Sequence, residues 1–323
     1  MIATIREDES VSIRDLPFTD LYLPLVSGVR ARFRPDPIKG KRTGNFEVPD
    51  TFREDLDEIR QMVQHAADDD GTITYKGLRL RYVRFEAAEN EMWIALRAVP
   101  LDLPSLETLH MDRRFIRTLR GWGNKRGLVL VGGKTGDGKT TTCVAAIKDH
   151  LERYGGFAYT VEDPPEYQMQ GAISPNGFCL QVEIKDDTKW GEAVKRAMRC
   201  RPDILFLGEI RTPEAAEHLL KAVTSGHLVF TTVHAGSVPD TIGAIIQLAE
   251  SRMPTKTVRA ILADRLVAAI YQTMTKSGPS ITLLEPKSGP NEQTVSILTD
   301  GDLSKLNKHC VRYDPAPNRQ VGP

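Results

Sequence analysis

The chain has 323 residues, with 43 Lys+Arg against 43 Asp+Glu, 40% hydrophobic and 27% charged residues. That length accommodates two ordinary domains with separate cores, and the composition excludes a disordered chain. Zero formal net charge removes the bulk electrostatic argument for a nucleic-acid binder. The acidic start, Met1–Glu9, has no apolar signal segment, and no run approaches the roughly 20 apolar residues that span a bilayer. Cys143, Cys179, Cys200 and Cys310 lack C-x-x-C spacing, which disfavours a zinc ribbon or disulfide framework. These features predict a soluble, cytosolic protein.

In chain order, an Arg-rich, Pro-interrupted stretch (Arg30–Pro37) leads to a basic turn, Lys39–Gly44. Thr51-Phe52-Arg53-Glu54 reads as a capping box opening a helix that runs to about Ala66. Asp68–Gly71 reads as a turn. Residues 78–86 and 91–98 read as two strands joined by Ala87–Asn90. This predicts a small α+β domain with an antiparallel sheet, closed by the linker Pro100–Pro104. The expected division is residues 1–105 and 106–323.

Beyond the linker, apolar runs at Leu128–Val131, Phe157–Val161, Ile204–Leu207 and Leu228–Val233 alternate with helical stretches. The helices are Lys139–Tyr154, Trp190–Arg199, Pro213–Ser225 and Pro239–Met253. Thr212, Pro213 and Gly226 stand where a cap, a first turn and a stop are expected. Such alternation predicts a mainly parallel sheet wrapped by helices.

Gly133-Lys134-Thr135-Gly136-Asp137-Gly138-Lys139-Thr140 matches G-x-x-x-x-G-K-[ST], between an apolar strand and a helix. Its glycines let backbone N–H groups converge on phosphate oxygens. Lys139 supplies a positive charge, and the Thr140 hydroxyl can ligate magnesium. Thr160–Glu166 follows the second apolar run. Alone it reads equally as a solvated turn; after the first motif it would set Glu162 and Asp163 where parallel sheets place ligands, near magnesium and the γ-phosphate. Asp203–Arg211 carries one acid, Glu209, to a strand tip as a candidate for polarising water, with Gly208 at the usual metal-side position. In Thr224–His234, His227 reads ordinarily as a hydrogen-bonded structural group. His234, at the strand end, senses the γ-phosphate or fixes Glu209. Arg79, Arg81, Arg84 and Arg97 read either as solvated strand arginines or as guanidinium groups that reach a nucleotide. Arg79 and Arg81 share one strand face, and Arg84 has the opposite parity. Arg211 is expected to face the next helix, and Cys143 to be a buried, inert thiol.

These motifs, in this order, resemble the secretion ATPase superfamily of type IV pili, type II secretion and type IV secretion. They correspond to its Walker A loop, Asp box (Thr160–Glu166), Walker B segment (Leu205–Glu209) and His box (Thr224–His234). Arg79–Phe85 looks like the family's N-domain arginine segment, and Arg259–Val267 resembles the helix after the core motifs. The resemblance implies an α/β fold, a RecA-like P-loop ATPase core preceded by a smaller PAS-like α+β domain. It implies a homo-hexamer in which neighbouring subunits bracket ATP and Mg2+. That reading enrols Glu209, Glu162, Glu166, His234 and Arg81 in catalysis, and Thr140 and Asp163 at the metal. Gly133, Thr135, Gly136, Asp137, Gly138, Lys139, Thr140, Thr141, Arg79, Arg84, Arg97 and His227 would bind nucleotide.

The implied setting is peripheral, at the cytoplasmic face of an inner membrane, beside platform or secretion-channel components and without direct nucleic-acid binding. The sequence carries neither the tetracysteine motif nor the long N-terminal extension of pilus-extension and type II members. The Ala-Ile-Arg motif of retraction members is also missing where Lys276–Pro279, Lys287–Pro290 and a Pro-rich tail stand. These departures tilt the expectation toward the secretion and conjugation branch. Two other readings stand beside it, a RecA-like nucleic-acid motor and a non-hydrolysing nucleotide-gated scaffold.

Overall fold

The computed structural model describes residues 12–25, 29–35, 44–100, 102–286 and 292–315. Most of the basic turn, residues 39–43, lies outside them, as do 287–291 and 316–323. The chain forms two compact units, Met1–Leu101 and Asp102–Pro323.

The first unit contains β1 (Phe18–Pro24), β2 (Arg32–Pro35), β3 (Phe46–Glu47), α1 (Arg53–Gln64), β4 (Asp70–Tyr75), β5 (Leu78–Glu86) and β6 (Met92–Val99). Its sheet runs β3-β2-β1-β6-β5-β4 with antiparallel neighbours throughout, the small α+β arrangement expected. Alternation sorts β5: Leu80 and Tyr82 are buried, whereas Arg81 and Val83 are exposed. Leu56, Ile59 and Val63, at helical spacing on α1, complete the core with Leu21, Leu23, Ile94 and Leu96. The expected capping box does not form. A 3-10 turn, Asp50–Phe52, precedes α1, and Phe52 occupies the cap position without a side-chain hydrogen bond. Burial of the Phe52 ring in the core decides that geometry over local capping. Part of the Arg-rich, Pro-interrupted stretch, for which no element was expected, pairs as β2 because β1 supplies its ladder.

The second unit contains α2 (Arg113–Arg120), β7 (Gly127–Gly133), α3 (Lys139–Tyr154), β8 (Gly156–Glu162), β9 (Gly171–Ser174), β10 (Gly177–Glu183), α4 (Trp190–Cys200) and β11 (Ile204–Glu209). It continues with α5 (Pro213–Thr224), β12 (Leu228–His234), α6 (Val238–Ala249), α7 (Thr255–Arg265), β13 (Leu266–Thr275), β14 (Gly278–Leu284), α8 (Glu292–Asp300) and β15 (Val311–Tyr313). The nine-stranded sheet runs β15-β14-β13-β7-β12-β11-β8-β10-β9. From β13 to β10 every neighbour is parallel, and β9, β14 and β15 add antiparallel edges.

β7 is buried along its whole length, as expected for a parallel strand covered on both faces. Leu128 and Leu130 pack with the cluster under α4, α5, α6 and α7, while Val129 and Val131 pack with α2 and α3. The Thr212 hydroxyl caps α5 by accepting from Ala215 N at 3.2 Å, with Pro213 in the first turn. The stretch resembling a single helix, Arg259–Val267, divides at Arg265, after which β13 begins.

Candidate active site

β7 delivers the chain to Gly133, and α3 begins at Lys139. Between them Gly136 and Gly138 adopt φ of +85° and +78°, a curvature that a side chain would strain. As the first three residues of α3, Lys139, Thr140 and Thr141 have N–H groups with no intrahelical acceptor, and Thr142 N makes the first such bond, to Gly138 O. Lys139 is only 8% exposed, and its Nζ donates to Lys134 O at 3.1 Å. Among the described residues it has no carboxylate partner. A nearly buried ammonium beside free amide donors fits a phosphate chain. The ATP expected from the sequence therefore suits Gly133, Thr135, Gly136, Asp137, Gly138, Lys139, Thr140 and Thr141.

Three strand tips stand beside this loop in sheet order. β12, next to β7, ends at His234, whose register partner is Gly133. β11 comes next and ends at Glu209, and β8 follows, ending at Glu162. Near the tip of β11 the register with β12 shifts between Leu207 and Glu209, a bulge that re-aims the last side chain. Thr231 Oγ1 donates to Leu207 O at 2.5 Å and Thr232 Oγ1 to Gly208 O at 3.1 Å, holding it in place. Glu209 Oε1 then lies 2.8 Å from His234 Nε2 without the alignment of a hydrogen bond, a contact that is ionic only when the imidazole is protonated. Arg211 Nε donates to Glu209 Oε2 at 2.7 Å. The expectation that Arg211 faces the next helix is thereby corrected, because the acid two residues back captures it.

Glu162 is 2% exposed and accepts from Gln181 Nε2 at 2.8 Å. Burial pushes its carboxyl up to about 7, and the Gln181 amide opposes that rise. Asp163 and Glu166, beyond the strand end, are exposed. Cys143 on α3 is 1% exposed. Burial raises its thiol pKa, Glu162 and Glu166 raise it further, and Lys139 opposes them. Tyr167 reaches the loop helix by a 2.9 Å hydroxyl contact with Thr141. Among the described residues no group of three or more His, Cys, Asp or Glu converges as a metal cluster.

His227 is not brought to the loop. It precedes β12, its main-chain oxygen accepts from Gly127 N, and its Nδ1 lies 2.8 Å from Ser225 Oγ. Gly127 starts β7, so His227 is at the sheet end away from Gly133. In the first unit, Arg84 donates to the carbonyls of Val63, Gln64 and Asp68, stitching the end of α1 to β5. Arg97 Nε donates to buried Asp20 at 2.8 Å. Arg81 is exposed directly opposite Arg97, and Arg79 stands two residues before it, opposite Val99. Gln181, Tyr167 and Gln272 were missed by the motifs. A lone amide in an otherwise apolar strand was the available signal for Gln272.

Residues 56–300, about three quarters of the chain, match the family described as type II/IV secretion system protein. The chain belongs to that family. The type IV pilus retraction ATPase PilT of Pseudomonas aeruginosa is 36% identical over 185 residues, covering 56% of this chain and 51% of the relative. The type II secretion system protein E of the same organism is 35% identical over 175 residues, covering 53% and 32%. The chain thus spans about half, or less, of the curated relatives it matches. The crystal structure of the pilus retraction motor PilT with bound ADP superposes with a TM-score of 0.71 at 26% identity, covering 91% of this chain and 86% of that one. The family's RecA-like core preceded by an N-terminal domain is the architecture seen here.

Proposed function

We propose that this secretion-family chain hydrolyses ATP with Mg2+ and works as a homo-hexameric motor of a type IV pilus, conjugative or secretion machine. The observation that carries the reading is the order of the sheet, in which His234, Glu209 and Glu162 follow one another beside the phosphate loop. Lys139 and the α3 N–H groups hold the phosphates. Glu209, set by the bulge and by His234 and Arg211, orients and polarises the attacking water. Glu162, in its buried setting, and Glu166 complete the acidic side. Magnesium, which when bound neutralises charge on the β- and γ-phosphates, would be held by Thr140 and Asp163.

Further cations come from Arg81, Arg79 and Arg97 across a subunit boundary. Arg84 is engaged in its own unit, so its nucleotide role is the weakest of the four. Relatives from pilus and secretion machines share this core, and no helix among the described residues is long and apolar enough to cross a membrane. Both facts support a peripheral motor at the cytoplasmic face of the inner membrane, docked on platform or channel components. Phosphate release from ATP should depend on Mg2+ and vanish in Lys139→Ala. Sedimentation with nucleotide should yield six subunits. Turnover by Lys139→Ala at the unaltered rate would overturn the assignment.

A further inference from the structure

β13 pairs with β7, and its last residues meet the phosphate loop. Gln272 is 1% exposed. Its Oε1 accepts from Thr142 Oγ1 at 2.7 Å, in the first turn of α3, and its Nε2 donates to Asp137 O at 2.5 Å, in the loop. Two residues on, Met274 N donates to Asp137 Oδ1 at 3.1 Å, while Asp137 Oδ2 accepts from Lys134 N at 2.7 Å. The loop glycines fit this neighbour closely. A Cβ on Gly133 would lie 2.6 Å from Gln272 O, and one on Gly138 would lie 3.2 Å from Gln272 Nε2.

We propose that Gln272 is a positioning residue for nucleotide binding, tying the loop at Asp137 to the helix at Thr142 in the curvature that receives phosphate. The proposal rests on reading Gly133–Thr140 as the phosphate loop. A carboxamide suits the task because one planar group supplies both a donor and an acceptor. An apolar side chain of equal length would leave the Asp137 carbonyl and the Thr142 hydroxyl without their partner, and such groups move to recover hydrogen bonds. Phosphate-binding amides tolerate displacement of only about 0.5 Å before affinity suffers. Lys139 projects from the segment between the two tied points, so the same bond pair also fixes its origin.

The test is the affinity for a fluorescent ADP analogue in Gln272→Met, which keeps an unbranched chain of similar size. Affinity of the folded protein should fall about 10-fold, and the melting temperature without nucleotide should fall as well, because two buried hydrogen bonds are lost. Thr142→Val, which cuts only the helix-side bond, should weaken binding about 3-fold. A role in packing alone would lower the melting temperature and leave the affinity of the folded protein within about twofold. That outcome overturns the proposal if Lys139→Ala still lowers affinity. Should Lys139→Ala bind as well as the unaltered protein, the phosphate-loop reading itself fails, and this proposal with it. If Gln272→Met does not fold, unchanged ADP affinity in Thr142→Val overturns the proposal alone.

Discussion

His234 Nε2 lies 2.8 Å from Glu209 Oε1, so the tips of two neighbouring parallel strands touch beside the Gly133–Thr140 loop. Arg211 holds the other carboxylate oxygen, which leaves Glu209 little freedom to rotate. Glu209→Gln preserves size but removes the charge that orients water. Single-turnover hydrolysis should slow about 10²–10⁴-fold, with ADP affinity retained. Equal loss of binding and turnover would instead make Glu209 a structural or metal-side group. His234→Ala should cost less, since Arg211 still holds the carboxylate.

Arg81 tests the proposed ring. It is exposed on β5 opposite Arg97, and Arg97 already has Asp20 as a partner. Arg81→Ala should lower ATP turnover without disturbing the Lys139 site, since an added arginine can contribute up to about 10³–10⁵ in related chemistry. Mixing it with Lys139→Ala protein should restore part of the activity if the arginine acts on a neighbouring subunit. Failure to restore it, in rings shown to exchange subunits, would exclude that route. Full activity of Arg81→Ala would remove the residue from the site.

The cysteines should separate by exposure. Cys143 is buried on α3 and its thiol is pushed up by burial, so it should resist alkylation in the native protein. Cys200 is exposed at the end of α4 and should label first. Peptide mapping after brief alkylation reads both, and rapid modification of Cys143 would contradict its placement.

Asp149 links α3 to α2. Arg120 Nη2 lies 2.6 Å from Asp149 Oδ1, and Arg153 Nε lies 2.9 Å from Oδ2. Burial alone would raise the Asp149 carboxyl, but the two guanidinium groups hold it below its ordinary 3.8. A carboxyl depressed in the folded state adds stability that is complete above its unfolded value and disappears as pH falls through the folded value. Melting temperature should therefore fall below about pH 4 more steeply in the unaltered protein than in Asp149→Asn. At neutral pH that variant should lose about 2 kcal/mol of stability, because it weakens a largely buried pair. Parallel melting-temperature curves for the two proteins would refute the linkage.

Contiguous features were legible without the fold. The phosphate loop needs only neighbouring glycines and a lysine, and the apolar runs at 128–131, 157–161, 204–207 and 228–233 each lie within the observed strands β7, β8, β11 and β12. Those strands are buried on both faces, so their composition is apolar whatever their neighbours. The order β7-β12-β11-β8, which lines up His234, Glu209 and Glu162, follows from how crossovers pack and is written in no single segment. The inner strand β2 and the edge strand β9 were missed because their pairing depends on partners distant in sequence or on short, weakly patterned segments.

The same limit hid the site's supports. Gln272 meets Asp137 and Thr142 across more than a hundred residues, and only the alignment of β13 beside β7 creates that contact. The bulge at Gly208 likewise arises from registering β11 against β12. Arg84 and His227 carry residue types that suit a nucleotide site. Tertiary contacts decided otherwise for their immediate partners, because the α1 carbonyls and Ser225 lie within hydrogen-bonding reach. Sequence alone determined the chemistry available, the glycine-rich Gly133–Thr140 motif and the alternation of strands and helices. Tertiary structure decided which polar side chains share a site, because hydrogen bonds and charge contacts act over a few ångströms of space, whatever their separation along the chain.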